Sequence, residues 1–344
     1  MSAADAHAAF SQAWPAFALV AGLLLVGAAA ARDGLFAAAG AAIARAPGRS
    51  FVLLGGLLLS EAVVTAVLNL DTAVVFMTPV LLHAARRRGI AEGAFLYGSV
   101  FMANAASLLL PGANLTNLIV LVDDPVSGVT FAQRLGAAWA VSVAITILFV
   151  SWVFRRDLTR VASPSAEEPP GFHPGVGTLA VAVAAVLVLV LSRPALPVLG
   201  LGVAVAVLGR LGLRRSLRAA NPALLLGVLG LAVLLGTAAR GANIHILQHA
   251  GRWETAWLAA GASVLVNNLP AAVVLSAHAP AHPRALLLGL DLGPNLAVTG
   301  SLAAVLWLQV ARTEGARPSV LRYTLFGLAL VPLTLAAALL VSAV

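Results

Sequence analysis

The chain has 344 residues, of which 61% are hydrophobic and only 10% charged, and its mean hydropathy is +0.99. Soluble domains carry about 25% charged residues, so this composition excludes an ordinary water-soluble globule and points to a lipid-embedded protein. The formal net charge is +8, but every one of the 21 basic residues is arginine, set in short clusters between apolar runs; that is the pattern of cytoplasmic membrane loops and excludes a basic nucleic-acid-binding face.

There is no cysteine, hence no disulfide framework and no thiolate metal site. At the N-terminus Asp5 and His7 precede the apolar run 14–31, and Arg32 follows it. A secretory signal carries its positive charge ahead of the apolar run, so the order predicts an uncleaved span with the N-terminus outside. A crossing helix needs about 20 apolar residues. Segments 14–31, 92–122, 130–154, 176–191, 195–209, 222–239, 284–312 and 318–342 are the candidates, about eight full spans. Segments 33–46 and 240–250 are short and of mixed polarity and read as interfacial helices. The Pro-rich polar stretch 155–175 reads as a cytoplasmic linker.

Two apolar segments do not behave as simple spans. Segment 50–85 has Arg45 and Arg49 before it and Arg86, Arg87 and Arg88 after it, so both ends belong on the cytoplasmic side. It is too short for two spans of about 20 residues plus a turn. It reads as a re-entrant hairpin with arms 50–68 and 72–85 and a mid-membrane tip at Asn69-Leu70-Asp71-Thr72, with Thr72 as a capping residue of the second arm. Segment 252–280, with Asn267-Asn268-Leu269-Pro270 at its middle, reads as a second hairpin entering from outside. Each hairpin is followed by a helix interrupted by Gly, Pro and Asn. With these assignments sixteen arginines fall inside and five outside (Arg134, Arg193, Arg240, Arg252 and Arg284), and both termini fall outside.

The expected fold is therefore an all-α polytopic membrane protein built as an inverted repeat with two re-entrant hairpins and two broken helices. Repeat one is 1–154 (span 14–31, hairpin 50–85, broken helix 92–122, span 130–154). After the linker, repeat two is 176–344 (spans 176–191, 195–209 and 222–239, hairpin 252–280, broken helix 284–312, span 318–342). Such discontinuous repeats point to a secondary transporter with its site near the bilayer midplane, and not to an enzyme. No phosphate-binding glycine loop occurs, so no ATP-hydrolysing module is expected within the chain.

Ionisable residues inside a membrane are costly and mark function. Here they are Glu61, Asp71 and Asp291, the candidates for coupling to a proton or sodium ion. Polar uncharged residues gather at the tips and breaks: Asn69, Thr72, Asn104, Ser107, Asn114, Thr116, Asn117, Asn267, Asn268, Asn295, Thr299 and Ser301. Asn both donates and accepts, so it can complete a freed backbone group and face a substrate at once. Asn69, Thr72, Asn114, Thr116, Asn117, Asn267, Asn268, Asn295, Thr299 and Ser301 are the candidate substrate-binding set. Capping and interhelical hydrogen bonding are the competing explanation for each. His278 and His282 flank a proline turn, but no resident metal or other cofactor is expected.

Four stretches, "NLDTAVVFMTPVLL" (69–82), "ANAASLLLPGANLTNLIV" (103–120), "VNNLPAAVVLSA" (266–277) and "LDLGPNLAVTGSLAAVLWLQV" (290–310), together with "RDGLFAAAGAAIARAPGRS" (32–50), resemble the arsenite/antimonite efflux permease family of the ion-transporter superfamily. The likeness runs in order over nearly the whole chain. That superfamily also includes sodium/dicarboxylate symporters and sodium/proton antiporters. The chain is shorter at its N-terminus than the family pattern and lacks a proline common before its Gly300-Ser301 pair.

The resemblance implies a transport domain moving against a scaffold in a bacterial cytoplasmic membrane, with proton-coupled efflux of arsenite or antimonite as the leading function. Sodium-coupled transport of a dicarboxylate-like anion and sodium/proton antiport are the alternatives. Expected partners are the lipid bilayer, a small inorganic or anionic substrate, a second copy in a homodimer and a cytoplasmic ATPase subunit, but no nucleic acid.

Overall fold

A computed structural model describes residues 2–45, 49–159, 171–242 and 246–342, and among them the chain is helical throughout. Residues 160–170 of the expected linker lie outside the described residues. The first helix, α1 (Ala3–Arg32), is the longest at 30 residues, and most of its length beyond Ala9 is buried. Next comes α2 (Leu35–Arg45), followed by the antiparallel pair α3 (Ser50–Leu68) and α4 (Leu70–Arg87). After them α5 (Gly93–Ala106) breaks at a 3-10 turn, Pro111–Ala113, and resumes as α6 (Leu115–Val120). The first half closes with α7 (Gly128–Val153) and the short α8 (Arg155–Leu158).

The second half opens with α9 (Val176–Val190), α10 (Ala195–Leu208), α11 (Leu213–Ala220) and α12 (Pro222–Gly241). A second pair follows, α13 (Arg252–Val266) and α14 (Asn268–Leu275). Then α15 (Pro283–Leu292) breaks through two 3-10 turns, Gly293–Leu296 and Val298–Gly300, into α16 (Leu302–Thr313), and α17 (Val320–Val341) ends the fold.

Among the described residues five stretches are long and apolar enough to cross a membrane: α1, α3, α7, α11 taken with α12, and α17. Of the eight expected spans, 92–122 and 284–312 are divided by breaks as the sequence implies, whereas α9 and α10, at 15 and 14 residues, fall short of a full crossing. Of the expected interfacial helix 240–250, residues 243–245 lie outside the described residues; on either side α12 runs on to Gly241 and residues 246–248 form a 3-10 turn.

The first arm of the first pair, α3, has the expected bounds, but the second, α4, is longer than the expected 72–85, about 27 Å at 1.5 Å per residue, because the chain breaks at the single residue Asn69 instead of over a four-residue tip.

Packing does not follow chain order. α1 lies among α9, α10 and α12 from the far half of the sequence and meets α4, α6 and α14 on its other side. Glycine makes the first of these contacts possible. A Cβ on Gly22 would lie 2.5 Å from the Val198 carbonyl oxygen, and one on Gly202 would lie 2.5 Å from that of Gly22, so α1 and α10 touch backbone to backbone. Asp33, just past α1, accepts from the Thr178 N–H at 2.8 Å and so fixes the start of α9. A second body forms where α7 packs on α17 and α4 on α16, with Trp307 and Tyr323 fully buried at its centre. The outward faces of α9, α10 and α17 are apolar and exposed, Val207 at 71% and Leu321 at 68%, as lipid contact requires.

Candidate functional site

Two asparagines shape the hairpin tips in the same way. Asn69 has φ 72° and ψ 167°, and Asn267 has φ 75° and ψ 147°. This region is almost reserved for glycine. Asn69 repays the conformation by capping: its Oδ1 accepts from the Thr72 N–H at 2.8 Å. Thr72 is therefore the capped residue and not the cap. Its hydroxyl has no hydrogen-bond partner, and its methyl faces Gly27 of α1. Asp71, 2% exposed, lies in the first turn of α4, where unpaired N–H groups favour negative charge.

At the second tip the Asn267 Oδ1 accepts from the Leu269 N–H at 3.3 Å, and its Nδ2 donates to the Thr299 carbonyl at 3.2 Å. The two tips differ in access. Asn69 is wholly buried, whereas Asn267 is half-buried and its neighbour Leu265 is 83% exposed.

The two helix breaks meet at Asp291, at the end of α15. Its Oδ1 accepts from Asn114 Nδ2 and from Thr116 Oγ1, both at 2.8 Å. One turn on, Asn295 Oδ1 accepts from Asn104 Nδ2 at 2.8 Å, and Asn295 Nδ2 donates to the Phe101 carbonyl at 3.2 Å. Asn117 Nδ2 donates to the Ser107 carbonyl at 3.1 Å. Backbone carbonyls thus fix which way Asn104, Asn117 and Asn295 point, since Nδ2 of Asn104 also reaches the Val100 carbonyl at 3.3 Å. That leaves Asp291 Oδ2, Asn104 Oδ1 and Asn117 Oδ1 buried without partners. Buried acceptors with free lone pairs can take a further donor: water, a hydroxyl, a proton or a cation.

A second buried group lies between α3, α4 and α5. Ser99 Oγ donates to Glu61 Oε1 at 2.7 Å, and Thr78 Oγ1 lies 2.9 Å from Ser99 Oγ. Glu61 is 0% exposed, and its Oε2 is unpartnered, as is Thr65 Oγ1 one turn along the same face of α3. A third polar knot joins α1 to both halves. Gln12 Nε2 donates to Ser276 Oγ at 2.9 Å and to the Ile119 carbonyl at 3.3 Å, while Arg240 Nη2 donates to Gln12 Oε1 at 2.5 Å.

The structure therefore brings Asn114, Thr116, Asn117, Asp291 and Asn295 into one cluster, joined by Asn104 and Ser107. Asn69, Asp71 and Thr72 stand at one tip, and Asn267 and Asn268 at the other. Thr299 is exposed and ties its turn to α13 through the Val264 carbonyl. Ser301 caps α16 through the Ala304 N–H at 3.1 Å. Sequence reasoning did not reach Ser99, Thr78, Thr65 or Gln12. A carboxylate in mid-arm was the available signal for the first two, because it needs a hydroxyl donor from a neighbouring helix. Among the described residues no group of three or more His, Asp or Glu side chains could hold a metal ion.

Comparison with known proteins agrees with this architecture. The chain is 27% identical over 304 residues to the arsenical pump membrane protein of Escherichia coli K12, covering 76% of this chain and 70% of that one. A second Escherichia coli arsenical pump membrane protein is 25% identical over 346 residues, covering 89% and 81%. The one from Yersinia enterocolitica is 26% identical over 301 residues, covering 76% and 70%. Among solved structures, the Alcanivorax borkumensis YdaH transporter superposes with a TM-score of 0.59 at 13% identity, over 98% of this chain and 86% of that one, a likeness of fold. Residues 1–305 match the CitMHS citrate transporter model, and this multi-pass membrane chain belongs to that transporter family.

Proposed function

We propose that the protein exports arsenite or antimonite in exchange for protons, by alternating access across a bacterial cytoplasmic membrane with both termini outside. The observation that carries the reading is the content of the buried polar set. It holds Glu61, Asp71 and Asp291 with Asn, Ser and Thr, and among the described residues no Arg or His. A site built for an anion keeps a fixed positive charge, usually arginine, against it. Trivalent arsenic is a neutral trihydroxide near neutral pH, and amide and hydroxyl groups with free acceptor oxygens suit its hydroxyls. Three buried carboxylates without a basic partner need neutralising, which protons do. The absence of cysteine supports release of the cargo, since a thiolate site would retain arsenic. The relatives named arsenical pump membrane protein point the same way.

In this reading the two hairpins and two breaks are the halves of an inverted repeat. The Asp291 cluster contacts cargo, and Asp71 and Glu61 carry protons. Sodium-coupled carriage of a carboxylate is the second reading, favoured by the family's description. It asks the helix N-termini at the tips to hold the anion without arginine. Sodium/proton antiport would use the same carboxylates with no larger cargo.

The test is arsenite accumulation in an arsenite-sensitive bacterium without its own efflux systems. Accumulation falls with the intact protein, and Asp71→Asn or an uncoupler restores it. Unchanged accumulation despite confirmed membrane insertion sinks the arsenite reading and directs attention to sodium-dependent carboxylate uptake.

A further inference from the structure

The short helix α11 takes no part in the polar sites and has no buried residue of its own. It joins α10 to α12 on the side that the arginine distribution places in the cytoplasm. Leu213 and Leu217, one turn apart on one face, are 75% and 49% exposed. Arg214, Arg215 and Arg218 occupy the faces turned away from them, and Arg210 precedes the helix at a positive φ of 50°. All four arginines are exposed, and none of their side chains has an ion-pair or hydrogen-bond partner among the described residues. Nor could a neighbour in sequence neutralise them, because residues 176–253 contain no Asp or Glu.

We propose that α11 is a docking surface for anionic phospholipid headgroups, lying in the plane of the cytoplasmic leaflet. Its two leucines enter the acyl boundary, and its arginines hold phosphate groups at the headgroup level. A lipid surface is favoured over a soluble anion for two reasons. Both ends of the helix continue into apolar membrane helices, and the exposed leucines would otherwise face water. The surface is tied to the body of the fold, since Arg32 at the end of α1 donates to the Gly209 carbonyl at the corner that leads into α11. Lipid held there fastens α1, α10 and α12 to the leaflet.

The test uses the purified full-length chain in neutral detergent, titrated with phosphatidylglycerol or phosphatidylcholine, with thermal unfolding followed by tryptophan fluorescence. Phosphatidylglycerol raises the unfolding temperature, and phosphatidylcholine does not. An arginine near a charged surface contributes enough that replacing three of them by glutamine moves the protecting lipid concentration up about a hundredfold. The triple Arg214→Lys, Arg215→Lys, Arg218→Lys variant keeps the response, and it carries the test if the glutamine variant fails to fold. Arg252→Gln, on the opposite side, leaves the response unchanged. Equal titrations for the intact and glutamine chains overturn the proposal, as does loss of the response in the lysine variant. Equal protection by inorganic phosphate also overturns it, by showing a free-anion site.

Discussion

Replacing Asn69 separates its two local roles. The residue holds φ 72° and ψ 167° and caps α4 through a 2.8 Å bond to the Thr72 N–H. In Asn69→Ala the cap is lost, at about 1 kcal/mol. Ala keeps the Cβ strain that Asn already bears in this backbone region, so that strain does not change, and it also lacks the local polar contact that makes Asn tolerable there. The net loss is about 1–2 kcal/mol. Asn69→Gly loses the same cap bond, for which glycine is a tolerable substitute at a few tenths of a kcal/mol, and it removes the Cβ strain, so stability stays level or rises by about 1 kcal/mol.

Thermal unfolding at one scan rate, read from the six tryptophans, should therefore lower the midpoint of Asn69→Ala by several degrees and leave Asn69→Gly at or above the parent. Transport should fail in both, because the unpartnered Asn69 Nδ2 is absent from both. An Asn69→Gly protein as unstable as Asn69→Ala would refute the assigned backbone conformation. A glycine variant that transports normally would remove Asn69 Nδ2 from the cargo site.

Gln12 and Ser276 should couple: in a double-mutant cycle with alanine their 2.9 Å bond should register about 1 kcal/mol beyond the sum of the single changes, and strict additivity would deny the knot. At Gly327 of α17 an added Cβ would run into the Asn295 carbonyl, so Gly327→Ala should cost about 1–3 kcal/mol and disturb the neighbouring Asn104–Asn295 pair. Unchanged unfolding and transport in that variant would contradict the close approach.

The parts of the fold that sequence made visible are those marked by local chemistry. Polar residues interrupting an apolar run announce that helical bonding stops there, and so Asn69 and Asn267 stand out as breaks. The arginine clusters mark the ends of helices because charge is kept out of lipid. What was not legible depends on distance or dihedral angle. Asn114 and Asp291 are 177 residues apart, and no periodicity links them. Whether a tip takes four residues or one is decided by a positive φ, which the letter N permits but does not require. Thr299 and Ser301 have the same side-chain chemistry as Thr116 and Ser99. Only the packing of α13 and α16 sends the first pair to the surface and to a cap.

The buried carboxylates without basic partners have an electrical consequence. If each turnover brings in one proton and sends out a neutral trihydroxide, one positive charge crosses the membrane per cycle, and the carrier generates a current. Each 100 mV of membrane potential then supplies about 2.3 kcal/mol to the exchange. At about 1.4 kcal/mol per tenfold ratio, that sustains a cargo gradient of roughly fiftyfold before any pH difference is counted. Depolarisation alone, with the pH held equal on both sides, should then halt export against a cargo gradient.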